Sequence, residues 1–530
     1  MEKQNIIVLL VALICSGPLS KSNAENPNQK PNILLILSDD QGYSELGAFI
    51  DMADPDNLKA KDIAKWEKIT ETSVTNAPID VCMEAARKCM PNVDRLAQMG
   101  MRFTDFHTAP TCAPARSALM TSCYPQRFGV WCNGDFEGSG RGFPLGVKFP
   151  VALLKESGYF TGISGKWHLG HQPGEWPNER GFDWFFGFDR SHTLKYGSQI
   201  LKKNGKSVPA KGWLADQTTD EAIEFLKLAQ EKKKPFFLYV AYNEPHGDTP
   251  RPPQKYIDYF KSGSDNVDVH FSEMYGMDCG IGRIIDQLKE TGEFDNTLIM
   301  YTSDNGQARG PYHLGFHIGR EYLVPIPGNS PFTGCKWSPW EGAVRTPLIV
   351  KLPGGVPAKS SDVLVSIMDI FPTVLDYVGI DVPSSMKLDG KSFLPILQGD
   401  VDVDPDRMLF WVSDSQDPFP NTPQHQQMMR ELPNPSDVAT REERFPPAWY
   451  VRTENWKLIG WDTLPPMLFK INEDLGEEND VAENYPEIVR DLQKQFAGWV
   501  ETLADPIEYP EFQWRKVKRS SRKFKEPANK

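Results

Sequence analysis

The chain has 530 residues, of which 40% are hydrophobic and 24% charged, and a formal net charge of −13. That length supports one large domain and a smaller companion, and the acidic balance sets the molecule against general attraction to nucleic acid or other polyanions. An anionic substrate has to be met by a local basic pocket working against the overall field.

The first element is an apolar run, Ile6 to Ile14, which follows Lys3 and precedes Ser22-Asn23-Ala24. Residues 1–24 read as an export leader cleaved near Ala24; the run is too short to span a membrane, and no later segment supplies a transmembrane anchor. The mature protein is expected in the periplasm or outside the cell. Cys15 lacks a small residue just before it, which speaks against a lipid anchor. Beyond the leader lie Cys82, Cys89, Cys112, Cys123, Cys132, Cys279 and Cys335. With Cys112 set aside for chemistry, the others form an even set that could pair, Cys82 with Cys89 and Cys123 with Cys132 being nearest in sequence, or stay as buried free thiols.

Asn32–Leu37 is a continuous apolar run, followed directly by Asp39 and Asp40. Two adjacent carboxylates repel one another unless a cation lies between them. Next comes Cys112-Ala113-Pro114-Ala115-Arg116, where a following helix would bring Arg116 back to Cys112 from one turn on. Gly165-Lys166-Trp167-His168-Leu169-Gly170 is bracketed by glycine; in an extended segment Lys166 and His168 would project together towards one anion. A charged surface turn would fit Lys166 but not the clustering of these residues.

Leu226–Gln230 and Tyr275–Leu288 have helical patterns, and each stands just upstream of an apolar run, Phe236–Ala241 and Thr297–Thr302. Continuous apolar strands alternating with helices predict an α/β fold with a largely parallel sheet covered on both faces. Such sheets place ligands beyond the carboxyl ends of their strands. There this chain carries His246 after the first of the two runs and Asp304-Asn305-Gly306 after the second. Asp39, Asp40, Asp304 and Asn305 together offer hard oxygen ligands, which suit Ca²⁺ or Mg²⁺. Lys336 follows a long loop and precedes Trp340-Glu-Gly-Ala-Val-Arg345-Thr-Pro347.

Near residue 400 the texture changes. Met408–Val412, Trp449–Arg452, Trp456–Trp461 and Met467–Lys470 read as strands of a small antiparallel sheet, and Pro486–Leu503 as an amphipathic helix with Ile488, Leu492, Phe496 and Val500 on one side. The organisation expected is a leader (1–24), a large α/β domain (25–400), a smaller α+β unit (401–514) and a basic tail (515–530).

The Cys-x-Pro-x-Arg sequence at Cys112 resembles the signature of the type I, formylglycine-dependent sulfatases of the alkaline-phosphatase-like superfamily. The resemblance extends from Pro31 to about Leu503: Asp39-Asp40, Gly165-Lys166-x-His168-x-Gly170, the strand-end His246 and Asp304-Asn305-Gly306 fall in the family's order. Gly181-Phe-Asp-Trp-Phe-Phe-Gly187 and Met368-Asp-Ile-Phe-Pro-Thr373 look like its structural landmarks. Two departures are Met120-Thr121-Ser122, where the family's signal usually ends in glycine, and a long insertion between Ile50 and Pro91 carrying Cys82 and Cys89, where sulfatases often have a short link.

The resemblance implies that a maturation enzyme oxidises Cys112 to formylglycine. It also implies that Asp39, Asp40, Asp304, Asn305 and residue 112 meet a metal ion. Arg116 and Lys166 would then hold the aldehyde hydrate and the anion, His246 and Lys336 would serve the leaving oxygen, and His168 would release the bound sulfate. A sulfated carbohydrate is the implied substrate; a phosphate or phosphonate ester, or an inactive carbohydrate-binding site, are the alternatives. Candidate selectivity residues are Arg190, His192, Arg309, His313, His317, Arg320 and the Ser413–Pro447 loop, since arginine can pair with a uronate or a second sulfate.

Overall fold

The computed structural model describes residues 30–52, 79–131, 133, 142–189, 200–246, 251–308, 328–356, 359–399, 404, 406–413, 448–461 and 465–504. The leader, Cys15, Cys132, Arg190, His192, Arg309, His313, His317, Arg320, residues 414–447 and the basic tail lie outside the described residues.

Eleven strands form the main sheet: β1 (Asn32–Ser38), β2 (Met101–His107), β3 (Phe160–Lys166), β4 (Trp184–Phe188), β5 (Ile200–Lys203), β6 (Lys206–Pro209), β7 (Phe236–Ala241), β8 (Thr297–Ser303), β9 (Arg345–Lys351), β10 (Lys359–Ser361) and β11 (Val365–Ser366). Their order is β10-β2-β9-β8-β1-β7-β3-β4-β5-β6, with β11 also on β2. β1 lies between β7 and β8, parallel to both, and all of its residues are buried. Its side chains alternate between two cores: Ile33, Leu35 and Leu37 join one face, Leu34 and Ile36 the other. That two-sided burial is why the run is apolar without a break.

β9 runs antiparallel to both β2 and β8. Helices Leu214–Lys232 and Asp265–Glu290 cover the face that holds Leu34 and Ile36. The pairings Ser38 with Ser303, Leu37 with Ala241 and Gly165 with Ala241 bring the carboxyl ends of β1, β8, β7 and β3 to a common edge. Gly165 is required there: its φ is +119° and a Cβ would stand 1.9 Å from the Ala241 carbonyl oxygen.

A second, antiparallel sheet contains β12 (Leu409–Ser413), β13 (Ala448–Arg452), β14 (Trp456–Trp461) and β15 (Met467–Lys470), in that order. Helix Pro486–Val500 packs on it, with Phe496 stacked on Trp449 at 4.2 Å and Trp499 on Phe410 at 5.5 Å between ring centres. The apolar cluster continues without a break from the large sheet into the small one.

A buried ionic network also crosses between the sheets. Arg452 donates to Asp105 at 2.6 Å, and Lys457 lies 2.8 Å from Glu341 and 2.9 Å from Glu477. Asp105, His107 and Glu341 are grouped closely enough to suggest a metal site. Arg345, Arg452 and Lys457 already neutralise those carboxylates, so the group acts as a tie between the sheets.

The cysteines are not paired as their spacing suggested. Among the described residues Cys82, Cys89, Cys123 and Cys279 are free thiols. Cys82 lies in helix Ile79–Lys88 and Cys89 just past its end. Seven residues of helix rise about 10 Å, beyond the ~7 Å Cα limit for a disulfide. Cys89 instead donates to the carbonyls of Glu45 (3.1 Å) and Ala86 (3.2 Å), and Cys123 to that of Lys387 (3.1 Å). No helix among the described residues is long and apolar enough to cross a membrane.

Candidate active site

The two acidic strand ends are locked to each other through the backbone. Asp304 N–H donates to the Ser38 carbonyl at 3.2 Å, and Asp40 N–H to Asp304 Oδ1 at 3.2 Å. Asp40 takes φ +65°, a left-handed turn right after β1. Asp39 N–H donates to the Glu244 carbonyl at 3.1 Å, tying in the loop that carries His246.

Ser303 spans both turns from beneath: its hydroxyl accepts from Gln41 N–H at 3.1 Å and donates to the Asn305 carbonyl at 2.9 Å. Glu45 does the same at the flank. Its carboxylate accepts from Gly42 N–H at 2.7 Å and from the Gln307 amide, and meets His270 Nε2 at 2.6 Å. Neither residue stood out in the sequence. Ser303 had only its place before Asp304 to mark it, and nothing marked Glu45.

Cys112 opens helix Cys112–Thr121, and Arg116 follows one turn later on the same side. The Arg116 guanidinium donates to Asp304 Oδ2 from Nε (3.1 Å) and Nη2 (2.9 Å). Its Nη1 donates to the Lys166 carbonyl at 3.0 Å and to the Tyr239 hydroxyl at 3.3 Å. Tyr239 was hidden in the apolar run of β7, where an inward aromatic reads as core.

Lys166 Nζ lies 2.5 Å from Asp39 Oδ2, and Lys336 Nζ 2.7 Å from Asp40 Oδ1. His246 Nε2 lies 3.6 Å from Asp40 Oδ2. Cys112 Sγ stands 3.4 Å from Asp39 Oδ1 and 3.8 Å from Asp40 Oδ1. The structure thus brings together Asp39, Asp40, Cys112, Arg116, Lys166, His246, Asp304, Asn305 and Lys336, which are far apart in the chain. His168 needs a correction of geometry. Lys166 ends β3, and His168, itself buried, has φ +61°, so the pair does not lie along one extended edge.

The electrostatics follow from burying so many charges. Burial raises the Asp39 carboxyl, but Lys166, His246, Arg116 and Lys336 outweigh it and hold the group well below the usual carboxylate range. Asp40 is likewise lowered, with Lys336 and His246 overcoming its burial. Asp304 is pushed up to about 7 by burial and by the charge on Asp39. Burial lowers His246 to about 4 against the pull of Asp40. Burial, Asp304 and Asp39 drive the Cys112 thiol well above its usual value, so it holds its proton and is a poor nucleophile as it stands.

The chemistry of this donor set fits a hard divalent cation. Asn305 Nδ2 donates to Asp40 Oδ1 at 2.7 Å and to the Gly306 carbonyl at 2.8 Å, yet Asn305 Oδ1 is buried with no hydrogen-bond partner. A buried carbonyl oxygen without a donor is costly; beside Asp39, Asp40 and Asp304, a cation satisfies it. Asp39, Asp40, Cys112 and His246 each place one ligand atom within 4.8 Å of the others. With all three carboxylates ionised, Asp39, Asp40 and Asp304 are balanced by Arg116, Lys166 and Lys336, and a divalent ion would make the cluster positive and suited to an anion against the overall field.

The sulfatase family profile matches residues 31–380. The uncharacterized sulfatase YdeN of Escherichia coli K12 is 32% identical over 517 residues, covering 90% of this chain and 87% of that protein. Human N-acetylgalactosamine-6-sulfatase is 30% identical over 407 residues, 71% of this chain and 67% of the relative. The crystal structure of Ps i-CgsB in complex with k-i-k-neocarrahexaose superposes with a TM-score of 0.71 at 28% identity, covering 92% of this chain and 96% of that one. With a large, mostly parallel sheet of the alkaline-phosphatase type and the matched family region holding the whole buried cluster, fold and sequence agree: the chain belongs to the sulfatase family and is a sulfuric ester hydrolase.

Proposed function

We propose that this protein removes sulfate from sulfated carbohydrates outside the cytoplasm, using Cys112 in its formylglycine form and a divalent cation, Ca²⁺ or Mg²⁺. Asp39, Asp40, Asp304 and Asn305 would hold the ion, which supplies Lewis-acid polarisation of a sulfate oxygen and stabilises negative charge on the attacking oxygen. The observation that carries the reading is the place of Cys112: it opens a buried helix with its Sγ 3.4 Å from Asp39 Oδ1 and Arg116 one turn on, where a nucleophile beside the ion is needed. The hydrated aldehyde supplies two hydroxyls on one carbon, one to attack sulfur and one whose deprotonation expels the sulfate.

The remaining roles belong to side chains already in place. Arg116, fixed by Asp304 and Tyr239, orients residue 112 and faces the anion. Lys166 and Lys336 are both held protonated: burial lowers their pKa values, and the neighbouring carboxylates more than restore them. They bind sulfate oxygens. Lys336 and His246 serve the departing alcohol oxygen, and His168 takes the proton of the second hydroxyl. The carbohydrate substrate is supported by the relatives, one named for N-acetylgalactosamine 6-sulfate and one crystallised with a carrageenan oligosaccharide. Export rests on the leader at residues 1–24, and conversion of Cys112 requires a maturation enzyme in the host. The division into a large unit ending near residue 400 and a smaller one from 401 to 514 belongs to the same reading.

The test is chemical. Trypsin releases Phe103–Arg116 as one peptide; in active protein its mass should show an aldehyde in place of the thiol methylene, and it should react with a hydrazine probe. Sulfatase turnover by protein in which this peptide carries only unmodified cysteine would overturn the mechanism. Comparing sulfate with phosphate monoesters separates this function from that of a phosphatase relative.

A further inference from the structure

The buried charge cluster is not uniformly enclosed. The side chains of Asp39, Lys166 and Asp304 are 0% exposed, Lys336 2%, Asp40 5% and His246 11%. Among the described residues the cluster is least enclosed at His246, followed by Asp40. Trp337 stands beside Lys336, which the proposed reading sets against the leaving alcohol. It is half-buried, and the Lys336 ammonium lies 5.0 Å from the centre of its ring while also reaching Asp40. The indole is thus one ammonium group away from the acidic cluster.

Its backbone is unusual. Trp337 has φ +73°, a left-handed conformation that glycine adopts readily and a bulky aromatic residue does not. The turn is held there by its own N–H, which donates at 2.8 Å to the carbonyl of Pro110, two residues before Cys112. Strain of this kind persists only where the surroundings over-determine it, and it concentrates at ligand-binding positions. A large side chain thus stands where the backbone alone favours none, with the Lys336 ammonium against its ring.

We propose that Trp337 is a specificity-determining residue: its indole is the platform on which the sugar ring bearing the sulfate ester rests. A pyranose ring presents a face of C–H groups that packs on an aromatic surface, while its hydroxyls stay free for polar partners. Lys336 beside the indole then meets the ester oxygen as that ring settles. This inference rests on the carbohydrate reading above and deepens it.

The experiment uses the matured full chain and three probes: N-acetylgalactosamine 6-sulfate, glucosamine 2-N,6-O-disulfate and a carrageenan hexaose. Inorganic sulfate serves as a competitive inhibitor. Trp337→Gly keeps the N–H bond to Pro110 and suits φ +73°, so the fold should hold, with a thermal midpoint no lower than that of the parent. On the best probe, KM should rise about 10-fold or more, as expected for losing a stacked ring, while kcat changes by only a few-fold and inhibition by sulfate stays as in the parent. Trp337→Phe, which keeps a ring, should recover most of the loss. If KM is unchanged in Trp337→Gly, or if sulfate inhibition weakens as much as KM rises, the platform is refuted. The second result would show that the residue only props Lys336. If the parent turns over none of the sugars but does cleave an aryl sulfate, the carbohydrate reading fails and takes this inference with it.

Discussion

Removing the Ser303 hydroxyl tests whether the two acidic turns are held together for the sake of a cation. Ser303 is fully buried, and its single oxygen accepts from Gln41 N–H at 3.1 Å and donates to the Asn305 carbonyl at 2.9 Å. It thereby bridges the turn carrying Asp39 and Asp40 to the one carrying Asp304 and Asn305. Ser303→Ala deletes both bonds, each worth about 1 kcal/mol. Loss of an outer partner of a metal ligand weakens affinity by about 10- to 100-fold. The two turns keep the backbone bond from Asp40 N–H to Asp304 Oδ1, so the lower end applies. A fall of about 10-fold in Ca²⁺ affinity, or ~1.4 kcal/mol, is expected. Calorimetric titration of metal-stripped protein with Ca²⁺ measures it directly, and the Ca²⁺-dependent rise in thermal midpoint gives a second readout. Ser303→Thr retains the hydroxyl and should bind within about 3-fold of the parent, consistent with a bond kept rather than lost. If Ser303→Ala binds Ca²⁺ as tightly as the parent, the hydroxyl does not position the site.

The other predictions concern the metal, the release step and the tie between the sheets. Asp304→Ala should abolish turnover and lower the bound metal of the purified protein measured by elemental analysis; full activity in metal-free protein would contradict the assignment. His168→Ala should release about one equivalent of alcohol per enzyme and then stall; undiminished steady-state turnover would remove His168 from the release step. Asp105→Asn should lower stability by about 2–3 kcal/mol at neutral pH. Burial raises this carboxyl, but Arg345 and Arg452 bring it down to about 2. A depressed carboxylate contributes its stability above the unfolded value near 4 and loses it as pH falls through the folded one. The gap in thermal midpoint between parent and variant should therefore be constant from pH 5 to 7 and close as pH falls from about 4 towards 2. A gap that is independent of pH would show that the ion pairs contribute nothing through charge.

The sequence by itself determined the elements whose signal is local. β1, β7 and β8 are central strands buried on both faces, so each is an unbroken apolar run and each announces the polar residue at its end. Arg116 sits one helical turn from Cys112, a spacing that four consecutive positions encode. β2 was less visible, because polar groups interrupt it: Asp105 and His107 serve the ionic tie, Arg102 donates to the Ala48 carbonyl and Thr104 to that of Ser361. Only the tertiary structure decided what lies across from what. Glu45 meets His270 and Gln307, and Tyr239 meets Arg116, across more than a hundred residues, through a strand order that no local pattern specifies. Cys82 and Cys89 stay reduced because a helix holds them about two turns apart. Lys166 and His168 do not share one extended edge because the strand ends at Lys166 and His168 is itself left-handed, and Trp337 shows its strained backbone only once the Pro110 carbonyl is in place to hold it. Periodicity records which side of an element is buried; the contacts that build a site form between elements, and the energy that selects them resides in the assembled sheet.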